Sequence, residues 1–198
     1  MIEIKDISVV LGKKIEKNSS IEKKYRFKKN QIFLKTGIKK RFKSDKDIYS
    51  EALAIQAVKI LKKKNNFDKI SHIISVSNTP KYIFPSIANF VSSYLGIKKN
   101  VHCIAINSGC TGFVDALLLA YKLIDKVKKN SILITTSDTY SKYLDKKDRS
   151  TIPLFSDGGA AILINYSKNG LILKNYYCNT EPNTQADLMG TNEKGFKI

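Results

Sequence analysis

Asn107-Ser108-Gly109-Cys110-Thr111-Gly112-Phe113 separates an apolar run from a long helical pattern and places one cysteine at the junction. Upstream, Val101 to Ile106 is rich in Val, Ile and Ala and bounded by Asn and Gly, which predicts a short buried strand. Downstream, Phe113, Ala116, Leu117, Ala120, Leu123, Ile124 and Val127 recur at three- and four-residue steps, and Leu118 and Leu119 widen the stripe into a nearly buried helix. Cys110 therefore falls at or just before a helix N-terminus. Unpaired backbone N–H groups and the positive end of a helix dipole favour a thiolate there. Gly109 and Gly112 remove side-chain bulk on both sides, so a substrate could approach the sulfur closely. Two readings stand at this point: a nucleophile, or one more buried cysteine of the kind common in cores.

Working outward, strand and helix patterns alternate, which predicts an α/β layer architecture. Ile2 to Leu11 reads as a strand, followed by a polar, lysine-rich connection through Asn30. Ile48 to Leu61 is helical in period, with Ser44 or Asp45 as a cap, and Ile70 to Ser77 is an apolar strand. Pro85 suits the first turn of a helix running to Leu95, with Gly96 as its stop. Strands are expected at Ser131 to Ser137 and, as a pair, near Ala160 to Ile164 and Gly170 to Tyr177. Asp157-Gly158-Gly159 reads as a turn needing positive φ, with no chemistry assigned to Asp157.

The 198 residues, 42% of them hydrophobic, suffice for one domain with a real core. Cys103, Cys110 and Cys178 form no CxxC pair, and no leader peptide is evident, so a reducing cytoplasm is the expected compartment. The longest uncharged window, Tyr82 to Ile97, is broken by Pro85, Asn89 and serines and falls short of a membrane span. A formal charge of +18 raises nucleic-acid binding, but lysine supplies 32 of the 35 basic residues. The three arginines, Arg26, Arg41 and Arg149, are too few for base-edge or bidentate phosphate recognition. The lysines are spread through turns and helix ends, as a solvated face requires. Their field could still steer an acidic protein partner.

Several segments in order resemble the β-ketoacyl-[acyl-carrier-protein] synthase III family of thiolase-fold condensing enzymes, over about residues 1 to 178. Thr36-Gly37-Ile38-Lys39-Lys40-Arg41 is similar to the family's T-G-I-x-x-R, and Phe84-Pro85-Ser86 to its F-P-S. Ser108 to Phe113 resembles the nucleophile segment, and Asp148-Arg149-Ser150-Thr151 its D-R-x-T. Phe155-Ser156-Asp157-Gly158-Gly159-Ala160-Ala161 matches its F-x-D-G signature. The resemblance implies a thiolase-like N-terminal half over 1–178: a mixed five-stranded sheet with helices on both faces and a central buried helix starting at Cys110. Residues 179–198 would be a polar tail beginning the second half.

The resemblance also implies an acyltransferase. Cys110 would take an acyl group from acyl-CoA, its backbone N–H supplying an oxyanion donor, and pass it to malonyl-acyl carrier protein in a decarboxylating condensation. Arg149 would pack on the adenine of coenzyme A, and Phe84 would reach across a homodimer to limit the acyl pocket. No metal or resident cofactor, no nucleic acid and no membrane enter the scheme. Blander roles exist: Arg149 as an ion-pair partner of Asp148 or Asp157, Phe84 as a staple packed before its helix. The family's histidine and asparagine lie in a second half that this chain does not match. His72 and His102 precede Cys110, the latter by roughly 26 Å of extended chain, and read as strand residues. The family's adenine-stacking tryptophan aligns with Gln31, and the chain has no tryptophan. A partner chain supplying the second half, or a non-catalytic half-domain that acts by dimerisation, are the resulting alternatives.

Overall fold

The computed structural model of the protein describes residues 1–97, 100–179, 190–192 and 195–197. In chain order the elements are β1 (Ile2–Leu11), β2 (Lys14–Lys17), α1 (Asn18–Tyr25), α2 (Gln31–Thr36), β3 (Lys40–Lys43), α3 (Ser50–Lys62) and β4 (Ile70–Val76). There follow α4 (Ile87–Leu95), β5 (His102–Ile106), a 3-10 turn at Gly109–Thr111, α5 (Gly112–Leu123), β6 (Ser131–Asp138), a second 3-10 turn at Tyr140–Lys142 and β7 (Gly158–Tyr166). Gly190–Asn192 (β8) and Gly195–Lys197 (β9) pair as a short antiparallel ribbon in the expected tail.

One compact unit comprises Met1–Val10, Ile48–Asp138 and Gly158–Tyr176. It is built on a five-stranded sheet in the order β1-β7-β6-β4-β5. β4 runs parallel to both β5 and β6, and β6 runs antiparallel to β7, so the sheet is mixed as expected. Because successive strand side chains point to opposite faces, continuous apolar runs bury both. Ile73, Leu133 and Leu163 pack with Ala54, Ala57, Val58 and Leu61 of α3 and with Ile87, Ala88 and Val91 of α4. On the other face Ile74, Val76, Ile132, Ile134, Ile162 and Ile164 pack with Ala116 and Ala120 of α5. Fully burying such a side chain contributes about 1.5–3 kcal/mol. Gly159 lets α3 sit against β7: a Cβ there would lie 3.1–3.2 Å from the backbone and Cβ of Leu53.

The helix after Cys110 covers one face of the sheet, but the expectation of a nearly buried helix starting at Cys110 is corrected in two respects. It begins at Gly112, one 3-10 turn later, and its buried residues are Gly112, Ala116 and Ala120, a single stripe at four-residue spacing. Phe113 and Val114 face outward, 39% and 64% exposed. On β1, Ile4, Ile7, Val9 and Leu11 are exposed as well.

The second unit comprises Leu11–Asp47, Thr139–Asp157 and Tyr177–Ile198. Ile21, Ile32 and Ile152 form its small core with Tyr25 and Phe27 against them. β2 and β3 pair antiparallel. Two charged groups hold the unit together. Arg41 is fully buried and donates from Nη1 to the Pro153 carbonyl (2.8 Å) and from Nη2 to Asn18 Oδ1 (2.7 Å), while its Nε lies 3.6 Å from a Glu16 carboxylate oxygen. Asp157, also fully buried, accepts from the Ser44 N–H (2.7 Å), the Ser141 N–H (2.9 Å) and the Ser141 hydroxyl.

Five further expectations are corrected. Val101 to Ile106 is not a buried strand: β5 begins at His102 and lies at the sheet edge, with His102 and Ala105 exposed. Gly170 to Tyr177 is not a strand: only Leu171 bridges, to Ile2, where a Cβ on Gly170 would meet the Ile2 carbonyl oxygen at 2.2 Å. Gly158 and Gly159 do not have positive φ; the second glycine answers to the close approach of Leu53. The N-cap of α3 is Tyr49, not Ser44 or Asp45, because the helix begins only at Ser50, beyond the reach of either side chain. Pro85 lies before the Ser86 N-cap of α4 rather than in its first turn, whereas Gly96 does end that helix in the left-handed region.

Arg41→Ala would leave the Glu16 carboxylate and the Pro153 carbonyl without their buried partner. We expect a loss of about 3–5 kcal/mol, measured by urea denaturation, against which a surface change such as Lys13→Ala serves as the neutral reference.

Candidate active site

β4, β5 and β6 run parallel, so their carboxyl ends gather at one edge of the sheet, the side where open α/β sheets place ligands. The cysteine turn follows β5 at that edge. The Ser108 carbonyl accepts from the Thr111 N–H (3.2 Å) and hydroxyl (2.9 Å), closing the turn, and the Thr111 hydroxyl also reaches Asp115 Oδ2 at 3.1 Å. Gly109 has φ +55, a conformation that disfavours any side chain. Gly112 seats the helix on β4: a Cβ there would lie 2.5 Å from Val76 Cγ1.

Cys110 is held at the crest of this turn and is exposed. It is packed into none of the core clusters of the described residues. Cys103 has the opposite environment, half-buried with its thiol directed at the Ala88 carbonyl, and burial pushes its pKa up. Of the two, only Cys110 has the accessibility a nucleophile needs.

The two histidines sit at the other end of the sheet. His72 and His102 occupy one register position on β4 and β5, with ring centroids 5.8 Å apart. His102 begins the strand whose far end leads into the cysteine turn, a strand length of about 13 Å. Neither is placed to act on the Cys110 sulfur, in agreement with their reading as strand residues. His72 is half-buried, and burial, then the neighbouring His102, hold its pKa below the ordinary 6.5.

Phe84 does not staple α4. It is 87% exposed beside Ile83 at 82%, at the tip of the loop between β4 and α4. That loop, with the ends of β4 and β5, lines a cavity of about 250 Å³ bounded by Tyr82, Ile83, Ser86, Ile106 and Asn107. Within the second unit, Arg149 makes neither of the ion pairs considered for it. Its guanidinium carbon lies 4.6 Å from the Phe27 ring centroid, and Nη2 donates to the Arg26 carbonyl at 3.3 Å. Gln31, where the family has its tryptophan, uses its side-chain oxygen to accept from the Lys28 N–H (2.8 Å) ahead of α2. The aromatic face beside Arg149 is thus Phe27, which the sequence reading did not single out.

An exposed cysteine on a strand-to-helix turn at the carboxyl edge of a mixed sheet, with helices on both faces, is the arrangement expected of one half of a thiolase-like fold. Comparison with known proteins agrees. A family model described as 3-oxoacyl-[acyl-carrier-protein (ACP)] synthase III matches residues 104–181. The chain is 38% identical over 157 residues to beta-ketoacyl-[acyl-carrier-protein] synthase III 2 of Staphylococcus epidermidis, covering 78% of this chain and 48% of that protein. It is 33% identical over 180 residues to the protein of the same name from Bacillus anthracis, covering 90% and 51%. The crystal structure of 3-oxoacyl-[acyl-carrier-protein] synthase III from Aquifex aeolicus superposes with a TM-score of 0.77 at 30% identity, over 85% of this chain and 55% of that one. The chain belongs to the β-ketoacyl-[acyl-carrier-protein] synthase III family, and it spans about half the length of the curated relatives it matches.

Gly112→Ala should cost about 1–3 kcal/mol through the collision with Val76, and Val76→Ala in the same chain should recover part of that loss, read from denaturant midpoints. His72 gives a pH signature. Its folded pKa lies below its unfolded value, so its neutral form favours the folded state above about pH 6.5, and that contribution is lost as the pH falls toward the folded value. Denaturation midpoints between pH 7 and 5 should fall less steeply in His72→Asn than in the parent chain.

Proposed function

We propose that the chain performs the acyl-accepting half of a synthase III condensation. The Cys110 thiolate attacks the carbonyl carbon of an acyl-CoA thioester, the coenzyme A thiolate leaves, and an acyl-cysteine remains. In the condensation proper, malonyl-acyl carrier protein loses carbon dioxide, the resulting carbanion attacks the acyl carbon, and the Cys110 sulfur departs. The observation that carries this reading is the exposed Cys110 on its two-glycine turn at the carboxyl edge, within the segment the family model matches. The backbone N–H of Cys110 supplies one oxyanion donor; removal of such a donor costs about 2.7–4 kcal/mol in other enzymes.

Residues 1–178 then constitute the N-terminal half of the catalytic fold, and 179–198 begin the second. The groups that bind the malonyl carbonyl come from that second half, on another polypeptide or a further stretch of chain. Arg149, beside Phe27, is assigned to the adenine of coenzyme A, and Phe84 to the acyl pocket of a homodimeric partner. Its 87% exposure supports that role. The setting would be cytoplasmic fatty acid or related acyl synthesis, without a resident cofactor. Among the described residues no helix is long and apolar enough to cross a membrane.

A second reading, a non-catalytic half-domain that works by association, draws on the exposed apolar residues of β1 and on Phe113 and Val114 at the start of α5. Incubation with radiolabelled acyl-CoA, alone and with a polypeptide carrying the family's second half, separates the two. Label should accumulate on the parent chain and fall at least a hundredfold in Cys110→Ala. No cysteine-dependent label under any partner condition would leave the association reading in its place.

A further inference from the structure

We propose that Asn78 is a positioning residue for the cysteine turn, itself held rigid by the carboxylate of Asp138. This rests on the reading of Cys110 as the acyl acceptor.

Asn78 follows β4, at the same sheet edge as the turn. Its side-chain oxygen accepts a hydrogen bond from the Gly109 N–H at 3.1 Å, one residue before Cys110 and at the residue with φ +55. The bonds of Thr111 to Ser108 and Asp115 close the turn on itself; the bond to Asn78 ties it to a neighbouring strand end. A side chain can orient a turn only if its own backbone is fixed, and Ser77–Thr79 is fixed from three directions. The Ser77 N–H donates to the Ile106 carbonyl at the end of β5 (3.2 Å). The Ser50 hydroxyl, at the start of α3, donates to the Thr79 carbonyl (2.7 Å). Asp138, the last residue of β6, uses one carboxylate oxygen to accept from the Asn78 N–H (2.8 Å), the Thr79 N–H (2.9 Å) and the Thr79 hydroxyl (2.8 Å), with the Ser77 hydroxyl at 3.3 Å.

The chain of bonds thus runs from the end of β6, through the loop after β4, to the turn after β5. Three parallel strand ends are locked to one another, and the sulfur's direction is set by the last link. Asp138 is desolvated enough that burial raises its pKa, with the Thr79 hydroxyl the largest opposing influence. It does this work as an acceptor, and an amide oxygen at the same place can accept the same donors. Precise placement matters because a reacting atom out of line by about 1 Å can cost a hundredfold in rate.

The test uses the full chain and compares Asn78→Ala, Asn78→Asp, Asp138→Asn and Asp138→Ala with the parent. Hydrogen exchange at residues 107–113 should rise about three- to tenfold in Asn78→Ala, the worth of one such bond, while exchange in β4 and β6 stays unchanged. Asn78→Asp and Asp138→Asn keep the acceptor oxygens and should remain within twofold of the parent; Asp138→Ala should match or exceed Asn78→Ala. Labelling of the Cys110 peptide by iodoacetamide needs only an open sulfur and should change less than twofold in Asn78→Ala. Acyl transfer from acyl-CoA needs an oriented one and should fall about tenfold. Unchanged exchange at the turn in Asn78→Ala, or equal loss of alkylation and acylation, overturns the proposal. Absence of acyl transfer in the parent chain would count against the function of Cys110, and the exchange comparison would still decide the role of Asn78.

Discussion

The two-sided burial of β6 is the constraint on which the first unit depends. Ile132, Leu133 and Ile134 are each fully buried, pointing alternately to opposite helix layers. The inner polar side chains of β6, Thr135 and Ser137, are buried as well, Thr135 sharing a hydrogen bond with Ser75 at 2.7 Å, so neither is open to a ligand. Polar function is pushed to its ends, where backbone pairing stops and carbonyl and N–H groups need other partners. Asp138 at the end of β6, Asn78 beyond β4 and the cysteine turn beyond β5 are all products of that displacement. At the opposite ends of β4 and β5 the polar positions are His72 and His102, which pair with each other and not with the site.

The same constraint explains what could be read from the sequence. Apolar runs such as Ile70 to Val76 and Ser131 to Ser137 can be stable only as enclosed strands, so β4 and β6 were legible to within a residue. The helix after Cys110 was legible from its period, but its depth was not, because periodicity reports which residues are apolar and not which of them another layer covers. Gly170 to Tyr177 has strand composition, yet after the bridge at Leu171 it pairs with nothing among the described residues. The lysine-rich segment after β1 hid β2 and α1 because Ile15 and Ile21 are too sparse to show a period. Asn78 was also hidden: a lone asparagine after a strand is ordinary turn composition, and only the fold shows that the Gly109 N–H lies within its reach.

Buried charge is divided differently between the units. In the second, Arg41 and Asp157 stand at the centre of small hydrogen-bonded clusters, in place of the apolar bulk that Ile21, Ile32 and Ile152 cannot supply alone. These residues fall in the T-G-I-x-x-R and F-x-D-G segments, so two of the segments that made the family recognisable are structural supports. The cysteine segment differs from them in leaving its central side chain exposed. Phe84 and Arg149 differ from both, being exposed and free of the internal roles that sequence reasoning had offered as alternatives.

The strand order also bears on how the chain reaches its native state. β4 pairs with β6 across a sequence gap of sixty residues, Ile74 opposite Ile134, with α4, β5 and α5 all lying between. Closing so long a loop must precede the reward of pairing, which makes parallel sheets slow to form. During that interval the isoleucine-rich β4 and β6 are unshielded and able to pair with other chains. In a nascent polypeptide of this topology the central strands cannot pair along their full length until Asp138 has emerged.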